Sequence, residues 1–441
     1  MEPQMKQHHY LITCFPVQGH INPTLQLAKN LAALGATVTF ATTAAGLKRV
    51  QDRLPAPHGL SYASFSEENV PAGDATAYMT NMRRCGSENL TKILQKSFND
   101  GRPVTCLVYS LLMPWASAVA RDMHVPSAFL VIQCAAAFVI YSRFFGGHGE
   151  SSVSVSIQDL PTFSSCDLPT FVLPENPTNS FMGPMLIEHM QELETLPKSL
   201  VLLNTFQELE QEAIKELESK LNVIAIGPLI STNNSFGGDL SEESYLRWLD
   251  SKPEKSVVYI AFGSLVVMNK EQKIEILHGL VQSKRPFLWV VRSSDNEEEE
   301  VKKMVEDEMK NCDGMIVAWC LQTEVLSHKS IGCFVTHCGW NSTLEGLVCG
   351  VPLIGCPHFS DQTTNAKLVE EVWRNGVRAR TNGEVVIKRE ELGKCLDVVM
   401  GEGERGKEIR KNARILRGMA MEAVKDGGSS YNNLRKVIES F

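Results

Sequence analysis

Near-continuous apolar runs alternate with stretches of helical periodicity from the start of the chain. "HHYLITCFP" predicts a strand. "PTLQLAKNLAALG" repeats Leu27, Leu31 and Leu34 at helical spacing and stops at Gly35, a residue suited to the position just past a helix end. "ATVTFATT" predicts the next strand, and the resulting βαβ unit implies a parallel sheet. Further strands are predicted at "TCLVYS", "SAFLVIQ", "SLVLLNTF" and "NVIAIGPL", with a helix at "PWASAVARDM" between the first two. Strands this uniformly apolar fit a sheet covered on both faces.

The pattern lapses at "STNNSFGGDLSEES", residues 231–244, which is polar and lacks periodicity. A second alternating series follows, with strands at "SVVYIAFGS", "PFLWVVR", "GMIVAWC", "IGCFVTHC" and "VPLIGCP". The chain ends in helical "KREELGKCLDVVM", "KEIRKNARILRGMAMEAV" and "YNNLRKVIES". The expected organisation is an N-terminal α/β domain (1–230), a linker or loop (231–244), a second α/β domain (245–420) and a C-terminal helix (421–441) packing back on the first domain. Ligands of doubly wound sheets bind at the carboxyl ends of the strands, and a cleft between two such domains suits two substrates. The acidic run "DNEEEEVKKMVEDEMK" reads as a solvated helix face.

Composition narrows the function. The chain has 441 residues, enough for two domains, and its 43% hydrophobic and 21% charged content is that of a globular protein. A net charge of −8 argues against a nucleic-acid surface or a polybasic membrane patch. No apolar run approaches a membrane span, and "MEPQMKQHHY" has no signal-peptide pattern. The twelve cysteines are scattered and include no CxxC pair, which points to reduced thiols in a cytoplasmic protein without a zinc site. The absence of GxGxxG after the first strand disfavours a dinucleotide-dependent oxidoreductase.

The most informative segment runs from Trp319 to Gln362: "WCLQTEVLSHKSIGCFVTHCGWNSTLEGLVCGVPLIGCPHFSDQ". "THCGWNSTLEG" follows an apolar strand and opens a helix, whose first N–H groups and dipole favour an anion. Gly339 would let backbone approach a phosphate, and Asn341 and Ser342 would cap the helix. His337 would donate to a diphosphate oxygen, and with no Asp-X-Asp pair in the chain the diphosphate would be held without Mg²⁺.

This segment resembles the nucleotide-sugar signature of the plant family 1 UDP-glycosyltransferases, over its whole length. "PVQGHINP", "LLNTFQELE", "IGPL", "WLDSKPEKSVVYIAFGS" and "PFLWVVR" resemble other blocks of that family. The resemblance implies a GT-B type α/β fold, two tandem doubly wound, Rossmann-like domains facing a cleft. It implies that Trp319 stacks on uracil, that the Cys320 backbone pairs with the base edge, and that Gln322 and Glu345 bind the ribose. It places Ser264, His337, Asn341 and Ser342 on the phosphates, with Gly19 and Gly339 also in the UDP-sugar site. Trp340, Asp361 and Gln362 would meet the sugar hydroxyls, and Gln362 at the closing position leans to glucose.

In "FPVQGHINP", His20 follows the first strand at its carboxyl edge. By resemblance it is the general base that takes the acceptor's proton, a task suited to a side chain titrating near neutral pH. One displacement then inverts the anomeric centre, and α-linked UDP-glucose gives a β-glucoside. Many relatives place an Asp beside this histidine where the chain has Ser110 after Tyr109, so the usual charged partner is replaced by a hydroxyl. Phe359 stands where relatives often carry Trp.

The acceptor is expected to be a small, mainly apolar plant metabolite, a flavonoid or other phenolic. Expected lining segments are "RRCG" (83–86), "IQCAAAFVIYSRFF" (132–145) and "NSFMGPM", with Val17, Gln133, Phe138, Tyr141, Phe181, Met182 and Phe359 as contacts. Alternatives are glucose-ester formation on a hormone, phenolic acid or apocarotenoid carboxylate, and a non-catalytic UDP-sugar-binding protein. No cofactor and no metal are expected, only UDP-glucose as donor substrate, with no nucleic acid or membrane partner and a monomeric protein.

Overall fold

The computed structural model describes residues 8–51, 57–66, 74–146, 154–174, 176, 179–195, 199–230, 240–264, 266, 268–291, 307–310, 312–381 and 386–441. The chain divides into two compact units, Met1–Ile230 with Glu422–Phe441, and Ser231–Met421.

The first unit is built on a seven-stranded sheet. Its strands are β1 (His9–Thr13), β2 (Thr37–Thr43), β3 (Leu60–Phe65), β4 (Cys106–Ser110) and β5 (Ser127–Val131). After a small antiparallel hairpin of β6 (Ser154–Val155) and β7 (Phe163–Ser164) come β8 (Leu200–Leu203) and β9 (Asn222–Ala225). The order is β3-β2-β1-β4-β5-β8-β9, with every pairing parallel. β1 and β4 are buried along their whole length, which is why their sequences read as unbroken apolar runs.

Two pieces of this unit escape the hydrophobic pattern. β3 buries Leu60 and Phe65 but leaves the residues between them partly exposed, as an edge strand can. The helix Ala75–Asn99 has a mixed surface and buries only Met82, Cys85, Gly86, Leu90 and Leu94. The Asp74 carboxylate accepts a hydrogen bond from the Ala77 N–H and caps it. Gly86 is the crossing point: a Cβ there would lie 2.2 Å from the Trp115 ring. Arg83 pairs with Glu188 through both guanidinium N–H groups. "RRCG" is therefore a helix-packing element, not an acceptor lining.

The last helix, Ser429–Glu439, lies on the same core. Leu434 and Val437 join the cluster that contains Tyr10, Ile12, Leu27 and Leu31. The Tyr10 hydroxyl donates to the Val437 carbonyl at 3.0 Å, Ser430 to Gly227 at 2.6 Å, and Asn433 to Ala225 at 2.9 Å.

The second unit holds a six-stranded parallel sheet: β10 (Val257–Ala261), β11 (Phe287–Val290), β12 (Gly314–Val317), β13 (Ile331–Thr336), β14 (Leu353–Gly355) and β15 (Gly376–Arg378). The order is β12-β11-β10-β13-β14-β15. The three-residue edge strand β15 was too short for a periodic signal. In each unit the strand order reverses direction at one place, between β1 and β4 and between β10 and β13, where doubly wound folds bind ligands.

Of the expected linker, residues 231–239 lie outside the described residues. The helix Leu240–Asp250 already occupies residues 240–244, so the linker cannot extend that far. Its first turn is polar, and the apolar positions that fix it, Tyr245 and Leu249, come one turn apart further on. The acidic run at 295–310 falls outside the described residues except for its last four positions.

Candidate functional site

Two groups of residues stand at the two switch points. In the second unit, β13 ends at Thr336, and His337, Cys338 and Gly339 lead into the helix Trp340–Cys349. Gly339 is the residue before the helix, and no side chain caps it. Asn341 and Ser342 thus lie within the first turn and are not caps. Cys338 takes a left-handed backbone (φ 59°), and its buried carbonyl accepts from Asn365 Nδ2 at 2.9 Å.

The His337 imidazole is wedged between two glycines. A Cβ on Gly263 would lie 2.6 Å from its Cε1, and a Cβ on Gly339 would lie 2.5 Å from its Nε2. The close approach that Gly339 permits is therefore to the His337 ring. Ser264 comes next after Gly263, in the turn that follows β10. Burial lowers the His337 pKa to about 3, so the ring is neutral.

A second cluster joins residues distant in sequence. Trp319 follows β12 with 40% of its surface exposed, high for tryptophan. Cys320, next in the chain, is buried, its Sγ 3.3 Å from the Tyr259 hydroxyl, and the Leu321 N–H donates to Tyr245 at 3.2 Å. The Tyr259 hydroxyl donates to Gln322 Oε1 at 3.2 Å. Gln322 Nε2 donates to Ser342 Oγ at 2.9 Å and to Glu345 Oε2 at 2.5 Å. One amide thus orients a hydroxyl and a carboxylate on the facing helix. Burial raises the Glu345 pKa to about 7, opposed in part by the Gln322 hydrogen bond.

Asp361 and Gln362 are both buried. Asp361 precedes the helix Gln362–Lys367 but does not cap it with its side chain. Its carboxylate accepts from Asn365 at 2.8 Å and from Ser360 at 3.1 Å. Gln362 Oε1 accepts from the backbone N–H groups of His358 and Phe359 at 2.8 and 3.1 Å, which fixes the loop carrying the partly buried Phe359. The Trp340 side chain is turned inward against Trp373, with ring centroids 6.0 Å apart. Any sugar contact from residue 340 therefore falls to its backbone.

In the first unit the chain leaves β1 and enters the helix Gln18–Ala33 within a few residues. His20 lies in the first turn of that helix, its N–H bonded to the Val17 carbonyl at 2.9 Å. Val17, Gln18, Gly19 and His20 are all partly exposed. The His20 ring packs on Phe15 at 5.8 Å, and its Nδ1 lies 3.4 Å from Oγ of Ser110, the buried last residue of β4. Desolvation lowers the His20 pKa to about 4, and a hydrogen bond to the backbone of Leu111 opposes the shift.

The expected acceptor contacts fare less evenly. Phe138 and Tyr141 are completely enclosed in the helix Ala135–Phe145. Phe138 packs edge-on against Phe129 at 5.9 Å, and the Tyr141 hydroxyl accepts from buried Gln133 at 3.4 Å. They build core instead of lining an open surface, because this helix is apolar on every side over residues 135–141. Met182 is buried on the helix Asn179–Thr195, and the Phe181 side chain lies outside the described residues.

Sequence reading missed several participants. Gly263, Asn365 and Tyr259 hold the second-unit groups in place. Among the described residues, no group of three His, Cys, Asp or Glu side chains could hold a metal ion. None of the twelve cysteines is in a disulfide.

Comparison with known proteins gives a consistent result. Residues 219–421 match the family model described as UDP-glucoronosyl and UDP-glucosyl transferase. The chain is 44% identical to UDP-glycosyltransferase 75C1 of Solanum lycopersicum, over 98% of each chain. It is likewise 44% identical to phloretin 4'-O-glucosyltransferase of Malus domestica, over 99% of this chain and 98% of that one. Crocetin glucosyltransferase, chloroplastic, of Gardenia jasminoides is 43% identical over 99% and 98%. Among solved structures, Os79 from O. sativa in complex with UDP superposes with a TM-score of 0.86 at 31% identity, over 97% of this chain and 99% of that one.

Proposed function

The chain belongs to the plant family 1 UDP-glycosyltransferases of GT-B type, and from that premise we propose that it is an inverting glucosyltransferase of plant secondary metabolism, moving glucose from UDP-glucose to a phenolic hydroxyl. The observation that carries the donor reading is the Gln322–Ser342–Glu345 network beside exposed Trp319. An aromatic face suits a base, and an amide with a carboxylate suits the two hydroxyls of a ribose.

The diphosphate falls to the N–H groups opening the helix Trp340–Cys349, with Ser264, His337, Asn341 and Ser342 beside them. A neutral His337 donates one ring N–H to a phosphate oxygen. These donors replace a metal, so the reading is of a transferase without a metal or other cofactor. Asp361 and the Gln362 amide receive the sugar hydroxyls, and the engagement of Gln362 Oε1 leaves its NH₂ group for that task. His20 takes the acceptor's proton as its oxygen attacks the anomeric carbon. The C–O bond to UDP breaks in the same displacement, and the configuration inverts to a β-glucoside.

A second reading is favoured by the Ser110–His20 pair. A carboxylate acceptor arrives ionised and needs no base, so an uncharged partner of His20 is no handicap for glucose-ester formation. A curated relative bears the name crocetin glucosyltransferase, chloroplastic. For this chain we favour a monomer in the cytoplasm. The free thiols support that compartment, and no helix among the described residues is long and apolar enough to cross a membrane.

The test is mass spectrometry of products formed from UDP-glucose and a panel of flavonoids, phenolic acids and carboxylate hormones. An alkali-stable glucoside supports transfer to a phenol. An alkali-labile product moves the reading to esters. No product on any acceptor, with UDP still raising Tm, would leave a binding protein.

A further inference from the structure

The strand β10 is buried along its whole length, and its sequence VVYIA contains one polar side-chain atom, the hydroxyl of Tyr259. The Tyr259 ring is stacked on Phe334 of β13 with centroids 4.9 Å apart, and the residue is 1% exposed. A phenylalanine would fill that place in the core as well. A buried hydroxyl destabilises the fold unless it is hydrogen-bonded, so this one needs partners. It has two, both from the stretch that follows β12: Cys320 Sγ at 3.3 Å and Gln322 Oε1 at 3.2 Å.

The direction of these bonds is fixed from the far end. Glu345, in the form that receives ribose hydroxyls, is a carboxylate and can only accept. The Gln322 group 2.5 Å from its Oε2 is therefore the NH₂, and the same nitrogen donates to Ser342 Oγ at 2.9 Å. Both amide hydrogens are engaged, and the amide oxygen is left facing Tyr259. That oxygen has no hydrogen to give, so the phenol donates, and its one proton goes to Gln322. The Cys320 S–H then donates to the phenol oxygen. The chain runs one way, from Cys320 through Tyr259 and Gln322 to Glu345, whose Oε1 has no hydrogen bond from a described residue.

We propose that the Tyr259 hydroxyl is a positioning group for the nucleoside end of the donor: by holding Gln322 Oε1 it keeps the amide NH₂ against Glu345, so that the carboxylate stands with one oxygen open to the ribose hydroxyls. This deepens the donor reading above and rests on its assignment of Gln322 and Glu345 to the ribose. Tyr259 is enclosed in the core and acts on the ribose through Gln322. Without its proton the amide oxygen has no donor, and the amide is free to turn over. A turned amide sets its oxygen against the carboxylate, which must then move away or take up a proton. Either change weakens the ribose contact. The same hydroxyl meets Cys320, whose backbone the donor reading places at the base edge, so one group ties the base end of the site to its ribose end.

The test is calorimetric titration of UDP and of 2′,3′-dideoxy-UDP, which lacks both ribose hydroxyls, into wild type and Tyr259→Phe. Wild type should prefer UDP at least about tenfold, the size of one hydrogen bond to a charged group. Tyr259→Phe keeps the ring on Phe334. It should weaken UDP about fivefold and leave the dideoxy analogue within about twofold, so that most of the discrimination is lost. Loosened packing alone would weaken both ligands equally. An equal loss, or full discrimination in the folded variant, overturns the proposal. In a Gln322→Met background Tyr259→Phe should have no further effect on UDP, because the hydroxyl acts through that amide, and a further loss there also overturns it. If Tyr259→Phe does not fold, Gln322→Glu decides in its place. It keeps an oxygen for Tyr259 but has no NH₂ for Glu345, so the discrimination must disappear, and its retention overturns the proposal. Binding is read without turnover, so a protein that transfers glucose to no acceptor leaves the test intact. A wild type that binds the two ligands alike defeats the ribose assignment itself, and the proposal with it.

Discussion

A methyl group on Gly263 would lie 2.6 Å from Cε1 of His337, closer than real side-chain atoms come. The two residues follow β10 and β13, the adjacent strands at which the second sheet reverses its order. The imidazole therefore depends on the absence of a side chain across the switch point, and Gly263 also needs its left-handed φ of 68°.

Gly263→Ala should displace the His337 ring and weaken UDP binding at least about tenfold, equivalent to about 1.4 kcal/mol. The backbone strain alone should lower stability by about 1–2 kcal/mol. Calorimetric titration with UDP, beside a denaturation curve, separates the two effects. Wild-type affinity in a folded variant would show that His337 does not hold the phosphates.

Trp319→Ala should weaken UDP binding by about 1–3 kcal/mol, the usual worth of base stacking on an aromatic ring. Its partial exposure means that Tm should hardly move. An unchanged UDP dissociation constant would remove the stacking role.

Glu345 gives the donor site a pH dependence. Its folded pKa is raised to about 7 from an ordinary 4.5, so the folded state holds a proton that the unfolded state releases between those values. The group's contribution to stability therefore falls as pH rises from 4.5 to 7 and is level above that. Ribose hydroxyls donate better to the carboxylate than to the acid, so UDP affinity should rise severalfold between pH 6 and pH 8. Glu345→Gln should bind more weakly and show a flatter profile. An equally steep profile in that variant would assign the dependence to another group.

His189 presents the opposite case. Its ring is completely buried, stacked on Phe129 at 4.4 Å, and neither nitrogen has a hydrogen-bond partner. Burial lowers its pKa to about 3. The unfolded state binds a proton near 6.5 that the folded state refuses, so stability is lost as pH falls from about 6.5 towards 3. His20 and His337 add losses of the same sign. His189→Phe should keep the stack and raise stability by about 1–3 kcal/mol, because two orphaned polar atoms disappear. It should also reduce the loss in urea midpoint between pH 7 and pH 5. A destabilised variant would mean that the imidazole has a polar role.

Ser110→Asp should draw the His20 pKa up from about 4 and speed transfer to weakly acidic alcohols about tenfold. Histidine NMR titration measures the first effect and initial rates the second. A raised pKa without faster transfer would show that basicity does not limit this enzyme.

The sheets were legible in the sequence because their central strands are buried on both faces and read as apolar runs. β3, β15 and the helix Ala75–Asn99 were not, since edge strands and half-buried helices dilute that signal. Apart from Gly19 and Ser264, the expected donor residues lie within one segment whose resemblance names them individually, and the structure brings Gln322, Ser342 and Glu345 of that segment together. The groups that hold them were hidden. Gly263 matters through a contact across two strands, and Asn365 through a carbonyl it reaches. Phe138 and Tyr141 misled for a related reason: an aromatic run in a wholly buried helix looks the same as a pocket wall in sequence.

The most direct test of the whole account is the fate of both substrates in one reaction, with wild type and His20→Ala compared. UDP release and glucoside formation from UDP-glucose and a phenolic acceptor would be followed together, and the anomeric configuration read by NMR. The account predicts one UDP per β-glucoside with wild type, and loss of turnover with unchanged UDP affinity in His20→Ala. An α-glucoside, or full turnover without the histidine, would contradict it.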